Sequence, residues 1–454
     1  MIYSSLLYIY GFLPVSLLLF YIAPKKHREA LLLGLSVVFC ASFSLYFLIF
    51  ITIYTLINYT MCRITEYLKR KNSIAEVALA STIILDITVL FAFRAPYMRW
   101  FAGMIRAPET VYPVGISLFT LSVISYLTDI YKGREKAETD VIRYSLYVMF
   151  FPRLIMGPIM KYRSFRKIMN DPKSGLVSIG EGIAIIVRGL VKKVLFSETL
   201  YTLYTDVFKA DVIKVPMVSA WLGMTAYLLG IYFEMSGYAD MGAGTARCFG
   251  YRFPECFRYP VFSKRISYFT VRWNTHIMLW FRRYLSKPLG SVAGNRSAGI
   301  AAYLFVWSLM GYWYTFSFRG WAAGLFLGTA VLIEKKAGSR NTLRLTGIIY
   351  TFIVSMIGAS VFSGGMLRYA GRLIGTGGFA DSLSLYLLRE YTLFLIAAAL
   401  FATDRPKKLV NRLKRSKASK AVSAVSAVLV IGTLLLCTAL MAESGISEQL
   451  FITL

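Results

Sequence analysis

The sequence is poor in the residues that bind metal ions or form disulfide frameworks. Its 454 residues include two histidines and five cysteines. The cysteines are Cys40, Cys62, Cys248, Cys256 and Cys437. They form no CxxC pair, and with His27 and His276 they give no spacing typical of zinc ligands. We therefore expect neither a structural metal nor a disulfide framework.

Acidic residues are also scarce, with 23 Asp and Glu against 51 Lys and Arg, so that the formal net charge is +28. The basic residues collect in short clusters between apolar runs, at 25–28, 69–71, 132–134, 161–173, 335–336 and 405–420. This distribution argues against a nucleic-acid partner. Under the positive-inside rule the clusters lie in the cytosol and attract anionic lipid headgroups, and we expect 405–420 to be a solvated loop there. We also expect Lys192 and Lys193, on an apolar helix, to extend their charged ends to the membrane interface. We predict that both termini lie outside the cytoplasmic membrane.

Apolar residues are abundant, at 57% of the chain with a mean hydropathy of +0.58. A membrane-spanning helix needs about 20 such residues. The pattern predicts an all-α polytopic membrane protein, in a single domain over residues 1–454, with about eleven spans and re-entrant pieces near 144–158. The predicted spans are 3–23, 30–62 (two short spans), 77–93, 111–131, 179–200, 217–233, 300–318, 321–333, 346–362, 384–402 and 421–441.

The segment 231–290 combines features that soluble folds do not need. It begins as a membrane-depth helix holding Glu234 and Asp240, and carboxylates at that depth are functional candidates by default. A basic, aromatic belt and a Trp-Asn-Thr-His turn follow. The alternative role for both carboxylates is to pair with Arg247, Arg252 or Lys264 and hold helices together.

Several motifs resemble one known family in order along the chain. They occur at 113–117 (PVGIS), 124–133, 151–152 with 157–159, 189–194, 231–241 (IYFEMSGYADM), 249–255 (FGYRFPE) and 280–285. The chain is similar, over almost its whole length, to the membrane-bound O-acyltransferase (MBOAT) family. Within that family it most resembles the bacterial branch, which includes proteins of alginate O-acetylation and of lipoteichoic-acid D-alanylation.

This resemblance implies a fold of about eleven helices around a central tunnel. It implies an acyl-CoA or acyl-carrier-protein thioester as the donor substrate, approaching from the cytosol, and no bound cofactor. A cell-envelope glycan would be the acceptor. An extracytoplasmic SGNH-type acetyltransferase or esterase is the expected partner.

The family carries a histidine in a Leu-Trp-His-Gly turn, and here Tyr314 occupies that position. A second histidine or an asparagine follows an Arg-Trp pair, and here Asn274 does. His276 is a further candidate, but two helical residues turn about 200°, so its participation would need a locally unwound backbone. The catalytic candidates are thus Asn274, Tyr314 and His276. The candidates for lining the substrate tunnel are Glu234, Ser236, Tyr238, Asp240, Trp273 and Trp313.

Three functions are compatible with these residues. The first is an O-acyltransferase that passes an acetyl or other short acyl group across the membrane to a polysaccharide. The second, suggested by Tyr314, is a catalytically degenerate homologue that acts as a transporter or scaffold. The third is D-alanyl transfer to teichoic acid.

Overall fold

The structure, a computed structural model, describes residues 2–71, 74–94, 115–209, 215–336, 344–363, 377–415 and 419–444. Within these ranges it contains helices and no strand. The helices are α1 Leu7–Ile22, α2 Arg28–Ala41, α3 Leu45–Arg70, α4 Ala75–Arg94, α5 Ile116–Tyr131, α6 Val141–Met149, α7 Phe151–Leu154, α8 Tyr162–Asn170, α9 Leu176–Leu190, α10 Glu198–Lys209, α11 Met217–Cys248, α12 Ile266–Arg272, α13 Thr275–Phe281, α14 Lys287–Val292, α15 Arg296–Thr315, α16 Phe318–Lys336, α17 Arg344–Ser363, α18 Ser382–Phe401, α19 Arg405–Lys414 and α20 Ser419–Ser444. Turns of π-helix occur at Leu7–Phe12, Val191–Ser197 and Arg282–Ser286.

Five described helices are long and apolar enough to cross a membrane. They are Leu45–Arg70, Ala75–Arg94, Leu345–Ser363, Ser382–Phe401 and Ala421–Glu443. Two shorter apolar helices, Leu7–Ile22 and Ile116–Tyr131, accompany them. The chain is therefore an all-α, multi-pass membrane protein, as predicted. The total of about eleven spans stays a prediction.

Two segments differ from their predicted form. The span predicted at 217–233 continues as helix to Cys248. Glycines within the membrane do not end a helix when a neighbouring backbone packs against them. Gly237 is such a glycine, because a Cβ added there would lie only 2.8 Å from the carbonyl oxygen of Gly189. The basic segment at 405–420 was expected to be a solvated loop, but Arg405–Lys414 is helical. Pro406 lies in its first turn, where proline favours helix initiation.

The described chain forms two compact units. The first contains Met1–Ile186 and Tyr238–Glu255. The buried Asp86 accepts a 3.0 Å hydrogen bond from Asn58 and is therefore a polar contact between helices. Arg247 lies 2.8 Å from Glu181 Oε2, and Arg252 lies 3.6 Å from the same oxygen. Both arginines thus pair with Glu181, and their suggested pairing with Glu234 or Asp240 stays a prediction.

The second unit contains Val187–Gly237 and Cys256–Ile446. Its best-defined contact is between α15 and α16, whose backbones meet at three glycines. A Cβ on Gly311 would overlap the carbonyl oxygen of Gly320 and lie 2.8 Å from the Cα of Gly324. Small residues of this kind let helices approach closely in lipid, where packing replaces the hydrophobic effect. The contact fixes α15 and its Tyr314 against α16.

We expect Gly311→Ala to destabilise the protein by about 1–3 kcal/mol, because the added methyl group forces α15 and α16 apart. Thermal unfolding in detergent, followed by size-exclusion chromatography, measures the change. Gly432→Ala in α20 is the matched control, since a Cβ there has no neighbour within 4 Å. Equal melting temperatures for the two variants would contradict the close contact.

Candidate functional site

A cavity of about 110 Å³ lies in the second unit. Its wall is formed by residues of α11, α12, α13, α15, α16 and α17, and most of them are apolar or small. The polar side chains on the wall are Thr270, Trp273, Asn274, Trp307, Tyr314 and Ser355, of which Trp307 is hydrogen-bonded to Tyr303. The Thr270 and Ser355 hydroxyls donate to carbonyl oxygens of their own helices, at 3.0 and 2.9 Å. Trp273, Asn274 and Tyr314 are therefore the groups that give the cavity its polar end.

Asn274 has a left-handed backbone, with φ 36° and ψ 66°, between α12 and α13. Asparagine tolerates this conformation better than most residues with a Cβ. The turn is held by the preceding loop, because Arg258 N–H donates to Arg272 O at 3.0 Å and Thr275 N–H donates to Cys256 O at 2.8 Å. The Asn274 side chain is 4% exposed. The backbone thus departs from a regular helix and turns a fixed, buried amide towards the cavity.

Tyr314 lies near the end of α15, and its phenol oxygen is hydrogen-bonded to the side chains of both Asn274 and Trp273. The indole N–H of Trp273 can only donate. Its ring packs against Phe257 and Phe269, with centroids 5.9 and 5.4 Å away, which fixes its direction. Trp273 and Asn274 of the Arg-Trp-Asn motif therefore contact Tyr314, which lies about forty residues later in the chain.

This arrangement favours stabilisation of a carbonyl oxygen. Because the Trp273 indole can only donate, the phenol oxygen accepts from it, and the phenol's own proton points away from the indole. Such donors polarise a hydroxyl and strengthen the bond that it donates. None of the described residues lining the cavity is a histidine, lysine, cysteine or carboxylate. The cavity wall thus offers hydrogen-bond donors of the oxyanion-hole kind and no side chain with the usual properties of a general base.

Glu234 is not among the described residues that line the cavity. Its Oε1 lies 3.0 Å from Lys193 Nζ, which also lies 2.7 Å from Glu198 Oε1. The Lys193 and Glu234 side chains are 2% and 1% exposed, and that of Glu198 is 24% exposed. The sequence suggested that Lys193 extends to the membrane interface, but it is buried in this ion-pair cluster. Its role is to join the π-helical turn Val191–Ser197 to α11.

The other candidates lie in different surroundings. Ser236 is buried and Trp313 packs against Phe281, and neither is among the described lining residues. His276 is half-buried in the first turn of α13 and is also absent from that wall. The hydroxyls of Tyr238 and Ser4 are 3.2 Å apart in the first unit, which also contains the half-buried Asp240. The predicted catalytic role of His276 and the predicted tunnel-lining roles of Ser236, Tyr238, Asp240 and Trp313 stay predictions.

Sequence reasoning missed much of the cavity wall. Thr270 precedes the Arg-Trp-Asn motif by two residues and could have been found from that proximity. Met278, Met310, Leu327 and Ser355 carry no comparable signal, because isolated apolar and hydroxyl residues occur throughout membrane helices.

The membrane helices and the largely apolar cavity, with its polar end at Trp273, Asn274 and Tyr314, define a multi-pass membrane protein with an internal site. Residues 32–343 match the sequence model of MBOAT, the membrane-bound O-acyltransferase family, which covers more than half of the chain. The chain belongs to this family, and the resemblance in the motifs is confirmed.

Three relatives indicate the chemistry in this family. The probable alginate O-acetylase AlgI of Pseudomonas syringae pv. tomato is 32% identical over 396 residues, covering 83% of this chain and 74% of the relative. The peptidoglycan O-acetyltransferase of Helicobacter pylori is 25% identical, with 74% and 70% covered. The teichoic acid D-alanyltransferase of Bacillus subtilis is 24% identical, with 55% and 68% covered.

Proposed function

We propose that the protein is an acyltransferase of the cytoplasmic membrane. It transfers an acetyl or other short acyl group from a cytosolic thioester, acyl-CoA or an acyl-carrier protein, to a hydroxyl of a cell-envelope polysaccharide. In this proposal about eleven helices surround a central tunnel, both termini lie outside, and an SGNH-type extracytoplasmic protein completes the transfer to the glycan. The relatives named above support the class of reaction.

The observation that carries the proposal is the group formed by Trp273, Asn274 and Tyr314 at the polar end of the cavity. An attacking hydroxyl oxygen forms a bond to the carbonyl carbon, the carbon–sulfur bond breaks, and the sulfur takes up the proton that the hydroxyl loses. Negative charge develops on the carbonyl oxygen meanwhile. The phenol proton of Tyr314, directed by Asn274 and Trp273, stabilises that charge.

We expect Tyr314→Phe to lower acyl transfer at least tenfold, because the phenol proton is lost while the ring keeps its packing against Trp313 and Phe362. The assay co-expresses the protein with its candidate extracytoplasmic partner and measures acyl ester on the surface polymer. Tyr314→His introduces the residue that the resemblance to the family implies at this position and is expected to retain activity. Wild-type levels of ester from Tyr314→Phe would contradict the assigned role.

The same assay separates this proposal from its alternatives. A catalytically degenerate transporter or scaffold is indicated if the unmutated protein transfers no acyl group under conditions in which a histidine-bearing relative does. Mass analysis of the released ester distinguishes an acetyl group from D-alanine, the group named for the Bacillus subtilis relative.

A further inference from the structure

Helix α12, which leads into the Trp273–Asn274 turn, receives its N-terminal cap from a distant helix. Arg265 precedes it with an extended backbone, and no side-chain hydrogen bond of its own caps it. The Glu334 carboxylate caps the helix instead. Ile266 N–H donates to Oε2 at 2.8 Å, Ser267 N–H donates to Oε1 at 3.3 Å, and the Ser267 hydroxyl donates to Oε1 as well.

These bonds are of a favourable kind. The first N–H groups of a helix have no partner within the helix, and the helix dipole favours a negative charge near them. Hydrogen bonds to a carboxylate are stronger than bonds between neutral groups. Helix α12 has only seven residues, and isolated helices of that length are not stable in themselves. Its position therefore depends on the groups that bind its two ends.

Glu334 belongs to α16, which carries the opposite part of the site. Ala323, Gly324 and Leu327 of the same helix line the cavity. Through the glycine contact at Gly311, α16 also packs against α15, the helix of Tyr314. The carboxylate thus directly connects α12, the helix that leads into the Trp273–Asn274 turn, to the helix pair that holds Tyr314.

The far end of α12 is fixed independently. Trp273 N–H continues the helix by donating to Phe269 O at 2.8 Å, and the Cys256–Arg258 loop binds the turn through Arg272 O and Thr275 N–H. A helix of seven residues is a short rigid rod, roughly 10 Å long at about 1.5 Å per residue. Release at Glu334 therefore lets α12 pivot about its held far end, which turns the Trp273 and Asn274 side chains relative to Tyr314.

We propose that Glu334 is a positioning residue of the acyl-transfer site, which keeps Asn274 and Trp273 within hydrogen-bonding distance of Tyr314. The effect on catalysis rests on the proposed function, whereas the effect on geometry does not. Displacements of about 1 Å at positioning groups lower rates by up to about a hundredfold in enzymes. Glu334 itself touches no reacting atom in this proposal.

The first measurement compares acyl transfer by Glu334→Gln, Glu334→Ala and Ser267→Ala at increasing donor concentration. We expect Glu334→Gln to lower kcat about tenfold with little change in KM, and Glu334→Ala to lower kcat further. Ser267→Ala should have the smallest effect, because it removes only the hydroxyl's bond and leaves the two backbone N–H bonds to Glu334. Glu390→Gln makes the same substitution at an exposed glutamate of α18 and is expected to match the wild type.

The second measurement needs no activity. The Cys256 thiol is 6% exposed, and its residue binds the Asn274 turn through Thr275. Alkylation by N-ethylmaleimide, followed by mass spectrometry, reports opening of that turn. We expect Glu334→Gln to accelerate labelling of Cys256 at least tenfold and to leave the buried Cys437 of α20 unchanged.

The outcomes are distinguishable. Unchanged Cys256 labelling together with unchanged transfer would overturn the proposal, and so would equal acceleration at Cys256 and Cys437, which would make Glu334 a general folding residue. If the wild-type protein transfers no acyl group, the proposed function fails, while the Cys256 labelling still decides whether Glu334 holds the turn.

Discussion

Asn274→Gly is expected to lower acyl transfer about a hundredfold while leaving the protein folded. The substitution removes the amide that is hydrogen-bonded to the Tyr314 phenol, so that the phenol loses one of the two partners that direct it. Loss of a single oxyanion-hole donor costs about 10²–10³ in rate in well-studied enzymes.

Glycine is chosen because the backbone of Asn274 is left-handed, with φ 36°. Glycine adopts that conformation freely, whereas alanine there costs about 1–2 kcal/mol. Asn274→Ala should therefore lose both activity and thermal stability, and Asn274→Gly should lose activity alone. Ester on the surface polymer and the melting temperature in detergent measure the two effects. Near wild-type ester from Asn274→Gly would exclude the amide from the chemistry.

The all-α membrane architecture could be predicted because its signal is strong and local. Runs of about 20 apolar residues and basic clusters between them suffice to locate membrane helices. The predicted segments at 77–93, 346–362 and 384–402 agree closely with α4, α17 and α18. Helix α11 continues past the predicted apolar span 217–233 to Cys248 and includes Glu234 and Asp240, as predicted, with close backbone packing at Gly237.

The site was predictable only in part. Motif order placed Asn274, Trp273 and Tyr314 as candidates, and these three residues meet at the cavity. The left-handed backbone at Asn274 could not be anticipated, since it depends on hydrogen bonds to a loop about eighteen residues earlier. Partners such as Glu334 are also invisible to pattern analysis, because a lone carboxylate beside two lysines resembles an ordinary cytosolic helix end.

Lys193→Met is expected to destabilise the protein by about 3–5 kcal/mol, the usual cost of removing one partner from a buried ion pair. Lys193 Nζ lies within 3.0 Å of carboxylate oxygens of Glu198 and Glu234. Glu198 is partly exposed and can be solvated, but the Glu234 side chain is 1% exposed. Without the ammonium group it must remain as a buried, unpaired charge or take up a proton, and both cost free energy.

The double variant Lys193→Met with Glu234→Met separates charge from packing. Replacing a complete buried ion pair with apolar residues of similar volume is often neutral. We therefore expect the second substitution to restore most of the stability that Lys193→Met removes, as read from the melting temperature and the yield of monodisperse protein. Acyl transfer should recover with stability, because neither side chain belongs to the described cavity wall. A stable double variant without acyl transfer would instead assign the Lys193–Glu234 pair to the reaction itself.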